Sequence, residues 1–342
     1  MKQGDSGELV GTRNPFTARA ATDCVALQLF LILSLTALWC AEAAAASPTP
    51  GEQLERMANA LRSLSYEGTL VYLHGNRLEA LRIVHRLEGG QIREQLVSLN
   101  GPVRTLTRAN GGVTCKLSDS HPISVKGHGV GKSVLNAWTL DPAALGDYYR
   151  VQPLGADRVA DRQTDVVAII PRDGLRYGYR FYLDRDSGLP LKSDLMGPGA
   201  DPIEQVMFTS LDLLPSQGTD TAAIDPEPQP PESGAESIAL DRLSWRFDSL
   251  PPGFALVMQD HWLDAGGSPV EHFLLSDGLA SVSVYVESNP QDGLKGGTRI
   301  GAFHATGNRV SGHQVTVVGE VPLETVEAVL AGIRKLPEGQ HD

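Results

Sequence analysis

Between residues 68 and 214 the apolar side chains recur at every second position rather than every third or fourth. That period constrains the fold more than any other feature of the 342-residue sequence. Leu81, Ile83, His85 and Leu87 alternate with Arg82, Val84 and Arg86, and Tyr177, Tyr179, Phe181 and Leu183 alternate with Arg176, Gly178 and Arg180. Turn residues at Gly89-Gly90, Asn100-Gly101, Asn110-Gly111-Gly112, Arg172-Asp173-Gly174 and Ser187-Gly188 cut the run at intervals of about ten residues or more. Alternation broken by turns predicts a large antiparallel sheet with one apolar face. One helix is expected within it over 133–149, where Asp141-Pro142 supplies an N-cap and a proline at the first helical position.

The flanks have other periods. Thr49-Pro50-Gly51-Glu52 has capping-box spacing, and Leu54, Met57, Ala58, Leu61 and Leu64 then recur on one helical face, predicting an amphipathic helix over 50–64. Residues 215–237 hold no apolar period and are rich in Pro, Glu, Asp and Ser, so they read as a semi-extended linker. Beyond it, strands are expected over 244–247, 255–263, 270–275, 279–287 and 313–318. A closing helix follows from Pro322, with Val326, Val329, Leu330 and Ile333 on one face. The predicted class is α+β, with a first domain over 47–214 and a smaller α+β domain over 238–342.

Residues 25–41 are predominantly apolar, follow Arg13 and Arg19, and precede the small-residue run 43–47 with Ala44-x-Ala46 before Ser47. That order fits a Sec-type export signal over 1–46 with a long n-region, and an uncleaved membrane anchor is the alternative. Cleavage would leave Cys115 as the one thiol of the three, with no intramolecular disulfide available, so the cores alone must stabilise the exported chain. The balance of 29 Lys+Arg against 41 Asp+Glu, a formal charge of −12, argues against nucleic acid or an anionic membrane as a general partner.

Motifs with chemistry fall short. The glycine-rich stretch 127–133 ends in Gly131-Lys132-Ser133, but counting back to the required first glycine of a phosphate-binding loop lands on Lys126. No His-Glu-x-x-His occurs and no cysteine-rich zinc set is available, so neither a metal nor another cofactor is expected. Gly278-Leu279-Ala280-Ser281 misses the spacing of a nucleophile elbow by one residue, so an enzyme is not expected. What remains is the apolar sheet face. Leu70, Tyr72, Leu106, Trp138, Tyr149, Phe181 and Leu183 either line a groove for an acyl chain or apolar peptide or fill a closed core.

Residues 176–184 (RYGYRFYLD) and 188–195 (GLPLKSDL) resemble the end of the first domain of the RseB/MucB family, and 271–287 (EHFLLSDGLASVSVYVE) and 312–322 (GHQVTVVGEVP) resemble its second domain. Pro251-Pro252-Gly253-Phe254 and Arg309-Val310 fit between them. The resemblance, over about 51–336, implies a non-catalytic periplasmic regulator of the sigma-E envelope stress response. Such a regulator binds the periplasmic part of a RseA/MucA-like anti-sigma factor and shields it from site-1 proteolysis. The family's first domain is similar to LolA/LolB-type lipoprotein carriers, a half-open β-barrel, and acyl chains of lipoprotein or lipopolysaccharide are the implied release signal.

On that reading the second domain carries the partner surface, with His272, Ser281, Ser283, Tyr285, Arg309, His313 and Gln314 as its expected residues. Arg82, Arg86, Arg104, Arg108, Arg176 and Arg180 are candidates for lipid phosphate or partner carboxylates, or are ordinary surface charges. A lipid or lipoprotein carrier and an exported hydrolase are the competing functions, and the sequence leaves homo-oligomerisation open.

Overall fold

The structure is a computed structural model that describes residues 48–88, 91–101, 104–109, 112–117, 123–126, 145–215, 244–263, 266–288 and 293–336. The export segment, the linker from 216 onward and most of the helix expected over 133–149 lie outside these residues. Of that helix only 145–149 is described, as a turn running into a strand at Tyr149.

The first lobe begins with α1 (Pro50–Ser63), whose start is the expected capping box. The Thr49 hydroxyl accepts from the Glu52 amide at 3.3 Å, and the Glu52 carboxylate accepts from the Thr49 amide at 2.7 Å. Leu64 ends the helix by turning extended. Eleven strands follow: β1 (Ser65–His74), β2 (Arg77–Glu88), β3 (Gln91–Ser98), β4 (Arg104–Ala109), β5 (Gly112–Leu117), β6 (Ile123–Lys126), β7 (Tyr149–Val159), β8 (Arg162–Pro171), β9 (Gly178–Asp184), β10 (Pro190–Met196) and β11 (Pro202–Leu214). They form one antiparallel sheet in the order β6-β5-β4-β3-β2-β1-β11-β10-β9-β8-β7. The two ends do not pair with each other, while β7 comes into contact with β11, so the sheet curls without closing.

Among the described residues, α1 packs its apolar face into the sheet. Leu54, Met57 and Leu61 of α1 are buried in one cluster with Leu70, Ile83, Ile169, Phe181 and Phe208 of the sheet. Each such side chain contributes roughly 1.5–3 kcal/mol by leaving water. Arg56 pins the helix to the turn between β9 and β10, donating to the carbonyls of Arg185 and Asp186 at 2.6 Å each.

The second lobe holds β12 (Trp245–Phe247), β13 (Ala255–Leu263), β14 (Pro269–Ser276), β15 (Ser281–Glu287), β16 (Gly296–Ile300), β17 (Phe303–Val310), β18 (His313–Gly319), α2 (Leu323–Gly332) and β19 (Ile333–Lys335). Six of these strands form a sheet in the order β13-β14-β15-β18-β17-β16, and β12 pairs with β19. Val282, Val284, Val286, Val315 and Val317 point to one side, where α2 supplies Val326 and Val329 and β12 supplies Trp245. Three differences from the sequence reading appear. β16 and β17 were not expected, since glycines at 296, 297, 301 and 307 break their apolar period. Ile333 belongs to β19 rather than the closing helix.

Candidate functional site at the seam between the lobes and on the second sheet

Both lobes belong to one compact unit that starts at Thr49, and the seam between them is polar and buried. Arg176, just before β9, and Asp277, in the turn after β14, have no exposed side-chain surface and meet through Nη1 and Oδ2 at 2.6 Å. The other two guanidinium nitrogens are also used. Nε donates to Asp173 Oδ1 at 3.0 Å and Nη2 to the Pro252 carbonyl at 2.5 Å. The rings of Tyr148, Tyr149 and Phe254 lie 4.9, 5.5 and 5.2 Å from Cζ and enclose the cation.

Asp277 is equally satisfied. Oδ2 also accepts from the Tyr149 hydroxyl at 2.7 Å, and Oδ1 accepts from the amides of Leu279 and Ala280 at 2.9 and 2.7 Å. Burial would lower the Arg176 guanidinium, but Asp173 and Asp277 outweigh it and hold the group firmly protonated. Burial, and then the Asp277 carboxylate, push the Tyr149 phenol up, so it stays a donor. Gly253 makes the close approach feasible: its φ is +84°, and a Cβ there would sit 2.5 Å from the Tyr148 ring.

Farther along, the seam is a strip of tyrosines facing acids. Tyr72 donates to Glu204 at 2.6 Å, and the other Glu204 oxygen accepts from the Ala302 amide at 2.9 Å across the seam. Tyr179 donates to Glu320 at 3.4 Å, Tyr177 lies 3.5 Å from His304 Nδ1, and Thr325 donates to the Leu175 carbonyl. His304 Nδ1 is 2.8 Å from the Val321 carbonyl, which requires a proton on that nitrogen. Leu279 and Ala302 of the second lobe are buried in the first-lobe core.

Five of the seven residues expected to line a groove sit in or against this same body. Leu70, Tyr149, Phe181 and Leu183 are buried in the first-lobe core, and Tyr72 is half-buried at the seam. In this structure α1 packs onto that core, with Leu54, Met57 and Leu61 buried in the same cluster as Leu70 and Phe181. Leu106 lies on β4 opposite Leu96, its side chain outside the described set, and Trp138 lies outside the described residues. Among the arginines, Arg176 is a correction: it is a seam residue rather than a surface charge. Arg82 pairs with Glu67 and Arg180 with Asp194 on the sheet, Arg86 is half-buried, and the side chains of Arg104 and Arg108 lie outside the described set.

The expected partner residues divide three ways. His272, Ser281, Ser283 and Tyr285 share the face of the second sheet away from α2. Ser281 and Tyr285 are half-buried, while Ser283 and His272 are buried, at 8% and 2% exposure. His272 and Tyr285 are cross-strand partners with rings stacked at 4.5 Å, and Trp262 stands edge-on to both at 6.0 and 6.3 Å. Arg309 is exposed on the same face, opposite Gln314. Gln314 itself is covered: it is buried and its amide donates to the Leu294 carbonyl at 2.7 Å. His313 points to the other side, edge-on to Trp245 at 5.3 Å.

Sequence reasoning missed Asp277, Glu204, Glu320 and Trp262. Asp277 lies between the strands expected over 270–275 and 279–287, and its partners at positions 149 and 176 carry no local signal.

Comparison with known proteins places both lobes. The family model described as the MucB/RseB N-terminal domain matches residues 49–232, and the MucB/RseB C-terminal domain matches 239–334. The chain is 34% identical over 325 residues to the Sigma factor AlgU regulatory protein MucB of Pseudomonas aeruginosa, covering 90% of this chain and 96% of that one. It is 28% identical over 311 residues to the Sigma-E factor regulatory protein RseB of Salmonella typhimurium, covering 90% and 98%. Among solved structures, the Pseudomonas aeruginosa MucA/MucB complex matches at TM-score 0.64 and 32% identity, over 84% of this chain and 99% of that one. MucB in complex with MucA(peri) matches at 0.63 and 32%, with the same coverage.

Proposed function

Because the chain belongs to the MucB/RseB family, we propose that it is a periplasmic negative regulator of a sigma-E-type envelope stress response. It holds the periplasmic part of a membrane-spanning anti-sigma factor and shields it from the protease that begins its degradation. The observation that carries this reading is a likeness running through both lobes to a protein solved together with MucA.

Release follows from the seam. Acyl chains of lipoprotein or lipopolysaccharide enter the first-lobe core around Leu70, Phe181 and Leu183, which displaces side chains packed against Tyr149, Leu279 and Ala302. That strain favours a second-lobe arrangement with lower affinity for the partner. Linkage makes the effect reciprocal, so bound anti-sigma factor weakens acyl binding by the same factor.

A protease-protection assay tests the whole reading. The purified periplasmic fragment of the cognate anti-sigma factor is digested by its site-1 protease with the regulator present, and again with regulator plus an acylated peptide. The expected result is protection by the regulator and renewed cleavage on adding the peptide. A carrier that only passes lipid onward would leave the fragment unprotected in both, and that outcome would overturn the proposal.

A further inference from the structure

The second sheet ends at β13, and among the described residues no strand lies on its far side. Open sheet edges invite another strand, and proteins blunt them with proline, bulges and charge. The first sheet does so at β7, which carries Pro153, a bulge between Pro153 and Gly155, and the charges of Arg150, Asp157 and Arg158. In β13 a bulge between Leu256 and Met258 bends only the start of the strand. From Met258 to Leu263 the register with β14 is unbroken, no Lys, Arg or Pro occurs, and the one carboxylate is Asp260. Leu263 is 57% exposed.

The face beside this edge is built of rings. Asp260 pairs with His272 and Trp262 with Val270, so Asp260 and Trp262 project to the same side. Trp262 is half-buried against His272 and Tyr285, whereas Asp260 is exposed. His272 is buried and its Nε2 has no hydrogen-bond partner among the described residues. An exposed carboxylate two positions from an indole favours one kind of side chain, a cation that meets Asp260 by charge and Trp262 by its ring face. A second copy of the chain fits poorly. Two-fold pairing centred on Gln259 would set two Asp260 carboxylates diagonally across the strands, roughly 7–8 Å apart, with no cation in either strand to offset them.

We propose that β13 accepts an added strand from a partner protein, an extended segment that lays a basic side chain over Asp260 and Trp262. This rests on the function proposed above and deepens it: the partner is the periplasmic part of the anti-sigma factor. Main-chain pairing along 258–263 supplies affinity, and the cation sets register and specificity.

The test titrates that periplasmic fragment into the exported protein and into its Asp260→Lys and Asp260→Asn variants, which alter an exposed side chain. Kd should rise at least about tenfold for the Lys variant and about threefold for the Asn variant, and wild-type binding should weaken with salt. Amide hydrogens of 258–263 should exchange more slowly in the complex. Equal affinity of both variants with unchanged exchange over 258–263 overturns strand addition and leaves the partner reading standing. A wild-type homodimer that protects 258–263 overturns it equally, and no binding by the wild type sinks both readings.

Discussion

The second lobe presents two unlike surfaces. Toward the first lobe, each of the three Arg176 nitrogens has an acceptor, and Asp277 takes hydrogens from Arg176, Tyr149, Leu279 and Ala280. At β13 a strand edge that is open among the described residues carries an exposed carboxylate, and the histidine beside it has no partner for Nε2 among those residues. A surface whose polar groups are answered within the chain works as a joint. A surface with an open strand edge and an exposed carboxylate has room for another molecule, whereas the joint answers its own groups because a buried polar group without a partner costs about 1–3 kcal/mol.

The largest effect should come from breaking the joint. Asp277→Ala strands a guanidinium with no exposed surface and frees two backbone amides and a phenol, and should cost about 3–5 kcal/mol in urea unfolding. A loss under about 1 kcal/mol would show that the seam does not hold the lobes together. Tyr149→Phe removes one donor and leaves the ion pair, so the same measurement should read about 1–3 kcal/mol.

The ring-built face should respond to pH. Burial holds the His272 imidazole below the usual histidine range, partly offset by Asp260. The unfolded chain therefore takes up a proton before the folded lobe does as the solution is acidified. The stability tied to this group is full above the ordinary value of about 6.5 and falls as pH drops below it. His272→Phe should flatten the unfolding profile between about pH 7.5 and 5.5, and an unchanged slope would contradict the assignment. The smallest effect is expected at the edge itself. Asp260→Asn should shift stability by less than about 0.5 kcal/mol, because its carboxylate is exposed and its one recorded bond is to the adjacent amide of His261.

The same contrast sorts what the sequence could reveal. α1 was legible to within a residue because its cap and its apolar face are local patterns. The sheets were legible wherever side chains alternate, and illegible at β16 and β17, where glycine replaces the alternating apolar residue. Arg176 looked like another charge in the alternating run 176–183. It is buried because its acceptors, Asp277 and the Pro252 carbonyl, arrive from positions 101 and 76 residues away. His272 and Gln314 looked available to a partner for the same reason. What covers them is Trp262, Tyr285 and the Leu294 carbonyl, and only the fold brings those groups near.

The central claim is that occupancy of the first lobe is felt across the seam by whatever the second lobe holds. Calorimetric titration of the anti-sigma periplasmic fragment into the exported protein, with and without saturating acylated peptide, tests it most directly. A coupling of about 2 kcal/mol predicts roughly 30-fold weaker binding when lipid is present. The Tyr149→Phe variant, with a loosened seam, should show a smaller ratio. Identical affinity in the two titrations would contradict the account.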